Sequence, residues 1–178
     1  MKREGVALLL AAVLAVGGCR YDDKKGGNLG ETPDPDKPRV AYVTNGIAGF
    51  WVIAEKGAKD AGKELDVDVE VIMPPKGVAD QQRMVQDQLS KGIDGVAISP
   101  IDPDNQADFL DDVSARTTMI THDSDAPASR RLCYVGMDNY TAGRMCGELV
   151  KQAMPEGGTV MIFIGRLGQA NAKQRRQG

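Results

Sequence analysis

The chain has 178 residues, enough for one ordinary domain or for one lobe of a larger protein with part of another. Its 22 basic and 25 acidic residues give a formal charge of -3, a balance that does not suggest a polyanionic partner. Nucleic-acid binding rests on clustered Lys and Arg, so the composition argues against nucleic acid as a ligand. A single histidine, His122, and the lack of a Cys-x-x-Cys pair argue against a metal site, and no cofactor is expected.

The first 19 residues have the pattern of an export signal. Lys2 and Arg3 precede an apolar run over residues 6–16, and a Gly-Gly pair then leads into Cys19. A helix needs about 20 apolar residues to span a bilayer, and this run is shorter. The segment is therefore a poor candidate for a permanent transmembrane helix. We predict a signal peptide at residues 1–18. A plain secretory signal and a buried N-terminal helix are the alternatives.

The stretch that ends at Cys19 resembles the lipobox of bacterial lipoproteins. That resemblance implies that Cys19 is acylated on sulfur and becomes the new N-terminus after cleavage. The protein would then be held outside the cytoplasm by a lipid anchor, which is firm when several acyl chains are attached. Residues 19–38 carry glycines and prolines among charged side chains, which predicts a flexible tether between this anchor and the folded body.

Strand-like and helix-like segments alternate from Arg39 onward. They are, in chain order, strand 40–43, helix 50–65, strand 67–73, helix 78–91, strand 95–98, a helix from Asp102 to about Ala115, and strand 118–121. Gly92 stands where a left-handed helix cap is expected, and Asp102 followed by Pro103 is typical of a helix start. The alternation predicts a doubly wound parallel α/β sheet, with a first lobe at residues 39–125.

A new cycle of elements begins near Leu132. It comprises strand 133–135, a helix from about Tyr140 to Met154 capped by Asp138 or Asn139, strand 159–164, and helical residues up to Gly178. These elements are too few to form a sheet of their own. Residues 126–178 are therefore predicted to be the beginning of a second α/β lobe, which is incomplete. Their apolar faces would lack partners, and exposed strand edges would favour aggregation.

Two cysteines, Cys133 and Cys146, lie in this second part. An exported location permits a disulfide between them. The sequence does not show that their Cα atoms come within bridging distance. We favour two buried free thiols.

Polar and aromatic residues follow three of the predicted strands, and ligands of open α/β sheets bind at the carboxyl ends of strands. The candidates are Asn45, Phe50 and Trp51 after the first strand, Asp123 and Ser124 after the fourth, and Gly165, Arg166, Lys173, Arg175 and Arg176 after the last. Aromatic faces can stack on a sugar ring, while a carboxylate and a guanidinium can bind its hydroxyls. On the residues alone, Trp51 and Phe50 could instead be core residues, and Arg175 a solvated helix residue. Asn45 could serve the turn before Gly46, and Asp123 could cap the turn after its strand.

The order of these segments resembles the periplasmic sugar-binding proteins of ABC transporters, of the ribose-binding type. Phe50-Trp51 matches the aromatic pair of the family's first loop, and residues 120–125 match the segment with its ligand-binding aspartate. Residues 134–143 match the entry to its second lobe. Arg175 stands three residues before Gly178, where the family has a ligand-binding arginine.

This resemblance runs from about Arg39 to the last residue and implies the periplasmic binding protein type I fold. It implies a non-enzymatic receptor that closes two lobes over a small polar ligand, a sugar, and delivers it to an ABC permease. The implied ligand-binding residues are Asn45, Phe50, Trp51, Asp123, Ser124 and Arg175. Ser124 stands where ribose binders have arginine, which weighs against a pentose preference.

Other functions fit parts of the same sequence. A chemoreceptor-type sugar sensor would use the same fold, and a truncated remnant would have no function. The effector domains of one bacterial repressor family share the fold, but they carry a helix-turn-helix where this chain has an export signal. An enzyme is the weaker interpretation, because the sequence has no Gly-x-Ser-x-Gly elbow and no P-loop.

Overall fold

The computed structural model describes residues 36–165 and 169–178. The predicted signal at 1–18, Cys19, the tether up to residue 35, and Arg166 lie outside the described residues. In chain order the elements are β1 (Arg39–Val43), α1 (Gly49–Glu64), β2 (Asp68–Ile72), α2 (Val78–Ser90), β3 (Gly95–Ile98), α3 (Ala107–Arg116), β4 (Thr118–His122), β5 (Tyr134–Val135), α4 (Asn139–Ala153) and α5 (Ala170–Gln177).

The strands form one parallel sheet in the order β2-β1-β3-β4-β5. Val43 at the end of β1 lies opposite Ile72 of β2 and Ile98 of β3, and Ile98 in turn lies opposite Thr121 of β4. The carboxyl ends of the strands therefore meet at one edge of the sheet. The predicted doubly wound parallel α/β sheet is confirmed.

Helices cover the sheet because parallel strands need crossover connections, which are right-handed in nearly all proteins. That handedness sends α1 to one face and α2 and α3 to the other, and α2 and α3 contact each other. Residues from the strands and from α2 and α3 build the core, with β3 burying Val96 and Ile98 at its centre. The core residues are Ala41, Val43, Ile72, Val85, Ile93, Val96, Ile98, Leu110, Val113, Met119 and Ala126.

Most predicted helix ends agree with the structure, but the start of the third helix does not. Gly92 has φ +72° directly after α2, as expected for a left-handed cap. The helix predicted from Asp102 begins only at Ala107. The reason is that Asp102 belongs to a turn, in which its carboxylate accepts from Asn105 at 2.8 Å and its N–H donates to Gln106 Oε1 at 2.8 Å.

The segment after β4 returns to the same sheet before it leaves for α4. β5 pairs with β4, with Thr121 opposite Tyr134, so this strand is the edge strand of the sheet. Asp138 then caps α4, its Oδ1 accepting from Thr141 N at 2.9 Å, as predicted. The division into lobes at residue 125 stays a prediction.

The strand predicted at residues 159–164 is wrong, because this segment is irregular in the structure. A strand persists only when its backbone groups pair with a neighbour, and no strand among the described residues pairs with this one. Its apolar side chains are consequently exposed, with Phe163 at 87%.

Both described cysteines are free, and both are exposed. The prediction that Cys133 and Cys146 are buried is therefore wrong. Cys133 precedes the short edge strand β5. Cys146 lies on α4, where the nearby side chains of Met145 and Leu149 are exposed as well. Within the described chain nothing packs over that part of the helix.

A buried glutamine joins α2 to the ends of two central strands. Gln81 is fully buried, and its Nε2 donates to the carbonyls of Thr44 at 2.9 Å and Ser99 at 2.8 Å. Its Oε1 accepts from Gln106 Nε2 at 3.0 Å. Every polar atom of this amide is used, as buried polar groups require.

We expect Gln81→Leu to lower the free energy of unfolding by about 1–3 kcal/mol, because buried carbonyls and the Gln106 amide would lose their partners. Urea unfolding would measure the loss. Gln82→Leu is the matched control, since Gln82 lies next in the same helix and is only half-buried. An equal effect of both substitutions would contradict the role given to Gln81.

Gly62 allows α1 to pass close to β2. A Cβ at position 62 would lie 2.7 Å from Val69 Cγ2 and 2.8 Å from the Val67 carbonyl oxygen, whereas a Cβ at Gly57 of the same helix would meet nothing within 4 Å.

We expect Gly62→Ala to destabilise the fold by about 1–3 kcal/mol. Gly57→Ala should stabilise it by about 0.5–1 kcal/mol. Shifts of the same sign in thermal unfolding would contradict this packing.

Candidate functional site

Three polar residues meet where β1, β3 and β4 end. The hydrogen-bond ladder continues past the strands: Ser99 N donates to Val43 O at 2.8 Å, and Asp123 N donates to Val135 O at 3.1 Å. Asn45, two residues beyond β1, therefore comes next to Ser99 and Asp123. The strand order reverses between β1 and β3, and this switch point is where open α/β sheets form a ligand crevice.

A cleft of about 460 Å³ opens at this edge of the sheet. Five of the six predicted ligand-binding residues line it, so the structure brings together segments far apart in sequence. Ser124 does not line it; it is buried at 4% exposure directly after Asp123. The lining residues are Asn45, Gly46, Ile47, Ala48, Phe50, Trp51, Asp123, Met137, Gly165, Gln169, Asn171 and Arg175.

Asn45 is the centre of a hydrogen-bond network in the cleft floor. Its Oδ1 accepts from Trp51 Nε1 at 3.1 Å. Its Nδ2 donates to Ser99 Oγ at 3.1 Å and to Asp123 Oδ2 at 3.2 Å, and Ser99 Oγ also donates to Asp123 Oδ2 at 3.2 Å. The network fixes both the indole and the carboxylate relative to the sheet.

The two adjacent aromatic residues differ in their exposure. Trp51 is only 4% exposed, whereas Phe50 is 62% exposed, and their rings meet edge to face with centroids 4.8 Å apart. Trp51 is therefore buried in α1, as the core interpretation expects, and it also lines the cleft. Its role in ligand binding stays a prediction. Of the two rings, that of Phe50 is the one exposed at the cleft.

His122 packs beneath the floor as an uncharged aromatic ring. It stacks on Tyr42 with centroids 4.3 Å apart and meets Trp51 edge to face at 5.7 Å. Its Nε2 lies 3.2 Å from the carbonyl oxygen of Val43. Burial lowers the pKa of His122 to about 4, so at neutral pH the ring is neutral and adds no positive charge beside the carboxylate.

Asp123 and Asp125 are close in sequence but have different surroundings. Asp123 has φ +57°, a left-handed conformation that aspartate tolerates, and its carboxylate reaches the cleft. Asp125 accepts from Arg131 at 2.8 Å and from Thr121 at 2.7 Å. Burial acts to raise the pKa of Asp125, but these hydrogen bonds outweigh it and the pKa is lowered. Asp125 therefore closes the β4–β5 connection, and Asp123 faces the cleft.

The opposite wall comes from α5, which carries Arg175. This helix lies against α4 so closely that a Cβ on Gly143 would be 2.1 Å from the carbonyl oxygen of Arg175. Arg175 is exposed, and its charge acts on Tyr134. Burial and then the charge of Asp123 raise the pKa of that phenol, and Arg175 opposes them. A carboxylate and a guanidinium thus border the same space.

Ser99 belongs to the hydrogen-bond network of the cleft floor and was not predicted from the sequence, although it follows β3 directly and the rule about strand ends covers it. Three of the lining residues were not predicted either: Met137, Gln169 and Asn171. Gln169 and Asn171 lie in the same segment as Arg175, where the resemblance to the family points only to the arginine. Met137 precedes the cap of α4 and has no sequence signal for this role.

Within residues 36–165 and 169–178, no helix is long and apolar enough to cross a membrane. The same residues contain no group of three or more His, Cys, Asp or Glu side chains placed to hold a metal ion.

Known proteins are similar to this chain in sequence and in fold. Among curated relatives, the D-ribose/D-allose-binding protein of Pseudomonas aeruginosa is 28% identical over 192 residues, covering all of this chain and 59% of that protein. An ABC transporter solute-binding protein from Burkholderia graminis, solved with D-arabinose, superposes with a TM-score of 0.76 at 28% identity, over 82% of this chain and 51% of that one. GanP, a glucose-galactose binding protein from Geobacillus stearothermophilus, has a TM-score of 0.74 at 30% identity, over 80% and 52%.

The superpositions agree with the predicted type I fold, and the chain spans between about half and three fifths of the length of these proteins. The family model for the periplasmic binding protein domain matches residues 40–178, which is most of the chain. The protein therefore belongs to the periplasmic binding protein domain family.

Proposed function

We propose that the protein is a solute receptor that binds a sugar in the cleft and delivers it to an ABC permease. The observation that carries this proposal is the convergence of an exposed aromatic ring, a carboxylate and a guanidinium on one space at the strand ends: Phe50, Asp123 and Arg175. The sugar ligands named for the relatives and structural neighbours support it.

The chemistry of the three side chains suits a monosaccharide. The C–H faces of a pyranose or furanose ring are apolar and can pack on the Phe50 ring. Its hydroxyls can donate to the Asp123 carboxylate and accept from the forked donors of Arg175. A volume of about 460 Å³ falls within the range of small-molecule sites.

Binding would favour a closed state because the two charged residues lie on different elements. Asp123 is fixed to the sheet, and Arg175 lies on α5, which packs on α4. A sugar that touches both would be held best when the two walls approach, and this differential contact is what drives closure. The proposed function includes no chemical step: the Asp123 carboxylate of the cleft serves only to accept hydrogen bonds from the ligand.

The location we propose is outside the cytoplasm, in the periplasm or at the outer cell surface. Cys19 would carry the lipid anchor in the membrane, and residues 19–38 would connect it to β1. Such an anchor would keep the cleft within reach of a permease in the same membrane system.

Sugar binding can be followed through Trp51, the only tryptophan of the chain, which lies under the cleft beside Phe50. We expect its emission to change when monosaccharides are titrated into the full-length native protein. Asp123→Asn should weaken binding about 10- to 100-fold, because a charge-assisted hydrogen bond becomes neutral. Arg175→Ala should weaken binding similarly.

Arg176→Ala is the matched control, because Arg176 is exposed on the same helix and does not line the cleft. It should leave the affinity unchanged. If no monosaccharide binds to the full-length protein, sugar capture is the wrong function.

The anchor has its own test. Mass spectrometry of the mature protein should find an N-terminal, acylated Cys19, and Cys19→Ser should release the protein from membranes because the acylated sulfur is lost. A mature chain that still begins at Met1 would rule out the lipoprotein form while leaving sugar binding open.

A further inference from the structure

Asp123 presents its two carboxylate oxygens to different environments. Oδ2 receives hydrogen bonds from Asn45 and Ser99, whose side chains are buried at 7% and 0% exposure. Oδ1 has no hydrogen-bond partner among the described residues, and Asp123 itself is half-buried at the cleft. One oxygen is thus held by the protein, and the other is open to a ligand.

The directions of these hydrogen bonds follow from the donors available. The indole N–H of Trp51 can only donate, so Asn45 must turn its carbonyl oxygen toward it and its amide toward the carboxylate. An ionised carboxylate can only accept, so the hydroxyl proton of Ser99 points to Asp123. Ser99 Oγ then accepts from the second N–H of Asn45.

This assignment leaves Asn45 with no donor to offer a ligand. Its two amide protons are used by Ser99 and Asp123. In such a ring each hydrogen bond polarises the next, which strengthens the whole.

We propose that Asn45 and Ser99 are positioning residues, which hold Oδ2 of Asp123 so that Oδ1 alone accepts from one ligand hydroxyl. The inference rests on the proposed sugar-binding function and deepens it. It replaces the expectation that Asn45 touches the ligand. In this arrangement the fixed direction of Asp123 Oδ1 helps to determine which hydroxyl of the sugar is recognised.

The variant that tests this most directly is Asn45→Asp. It keeps the shape of the side chain and an acceptor for Trp51, but it replaces the donor that faces Asp123 with a second carboxylate oxygen. Ser99→Ala is the milder second variant, which removes one of the two donors and adds no charge. Asn105→Asp is the matched control, since Asn105 donates to Asp102 at 2.8 Å on the exposed surface.

The measurement is calorimetric titration of the full-length native protein with its tightest monosaccharide and with each monodeoxy derivative of that sugar. In the wild type, one derivative should bind about 10- to 100-fold more weakly, because its missing hydroxyl leaves Oδ1 without a donor. In Asn45→Asp that ratio should fall below about threefold, and in Ser99→Ala it should fall partway. Asn105→Asp should keep the wild-type ratio.

The ratio separates positioning from general damage. A purely structural role of Asn45 would weaken the sugar and its deoxy derivative by the same factor and leave their ratio intact, which would overturn the inference while the proposed function stands. Binding of no monosaccharide by the wild type would instead overturn the proposed function, and this inference with it.

Discussion

The parallel register of β1, β3 and β4 is the constraint on which the cleft depends. Val43, Ile98 and Thr121 lie side by side across the sheet, so the residues that follow the strands are brought to one edge. A slip of one residue in any strand would turn its side chains to the other face. Burial of Val43 and Ile98 in the core prevents such a slip. The apolar packing of the strands therefore also fixes the positions of the polar residues that follow them.

The polar groups under the cleft are buried, and their stability depends on being paired. Gln81 satisfies the carbonyls at the ends of β1 and β3, and Asn45 joins the side chains that follow β1, β3 and β4. In a low-dielectric interior a fully paired network is rigid, whereas one missing partner is costly. The neutral ring of His122 fills the remaining space between Tyr42 and Trp51 without adding a charge.

The sequence was sufficient for features that depend on local periodicity and insufficient for those that depend on distant partners. The alternation of strands and helices, and the cap at Asp138, follow from neighbouring residues, and the structure confirms them. The strand expected at 159–164 and the burial of Cys146 needed a second layer that the described chain does not supply. The position of Asn45 beside the cleft was predictable, but the direction of its amide was not. That direction is set by the indole of Trp51, six residues away, and by Asp123, 78 residues away.

A receptor gains from a carboxylate that is already oriented before the ligand arrives. A free aspartate side chain would lose rotamer freedom on binding, and that loss would be subtracted from the affinity. At Asp123 the protein has ordered the side chain during folding, through donors that are themselves buried in the sheet edge. Arg175 has no comparable restraint, since it is exposed on α5. The two walls of the cleft therefore differ in kind. In the proposed receptor, the fixed acceptor on the sheet would set which hydroxyl is recognised, and the exposed guanidinium on the helix would adapt to the ligand held there.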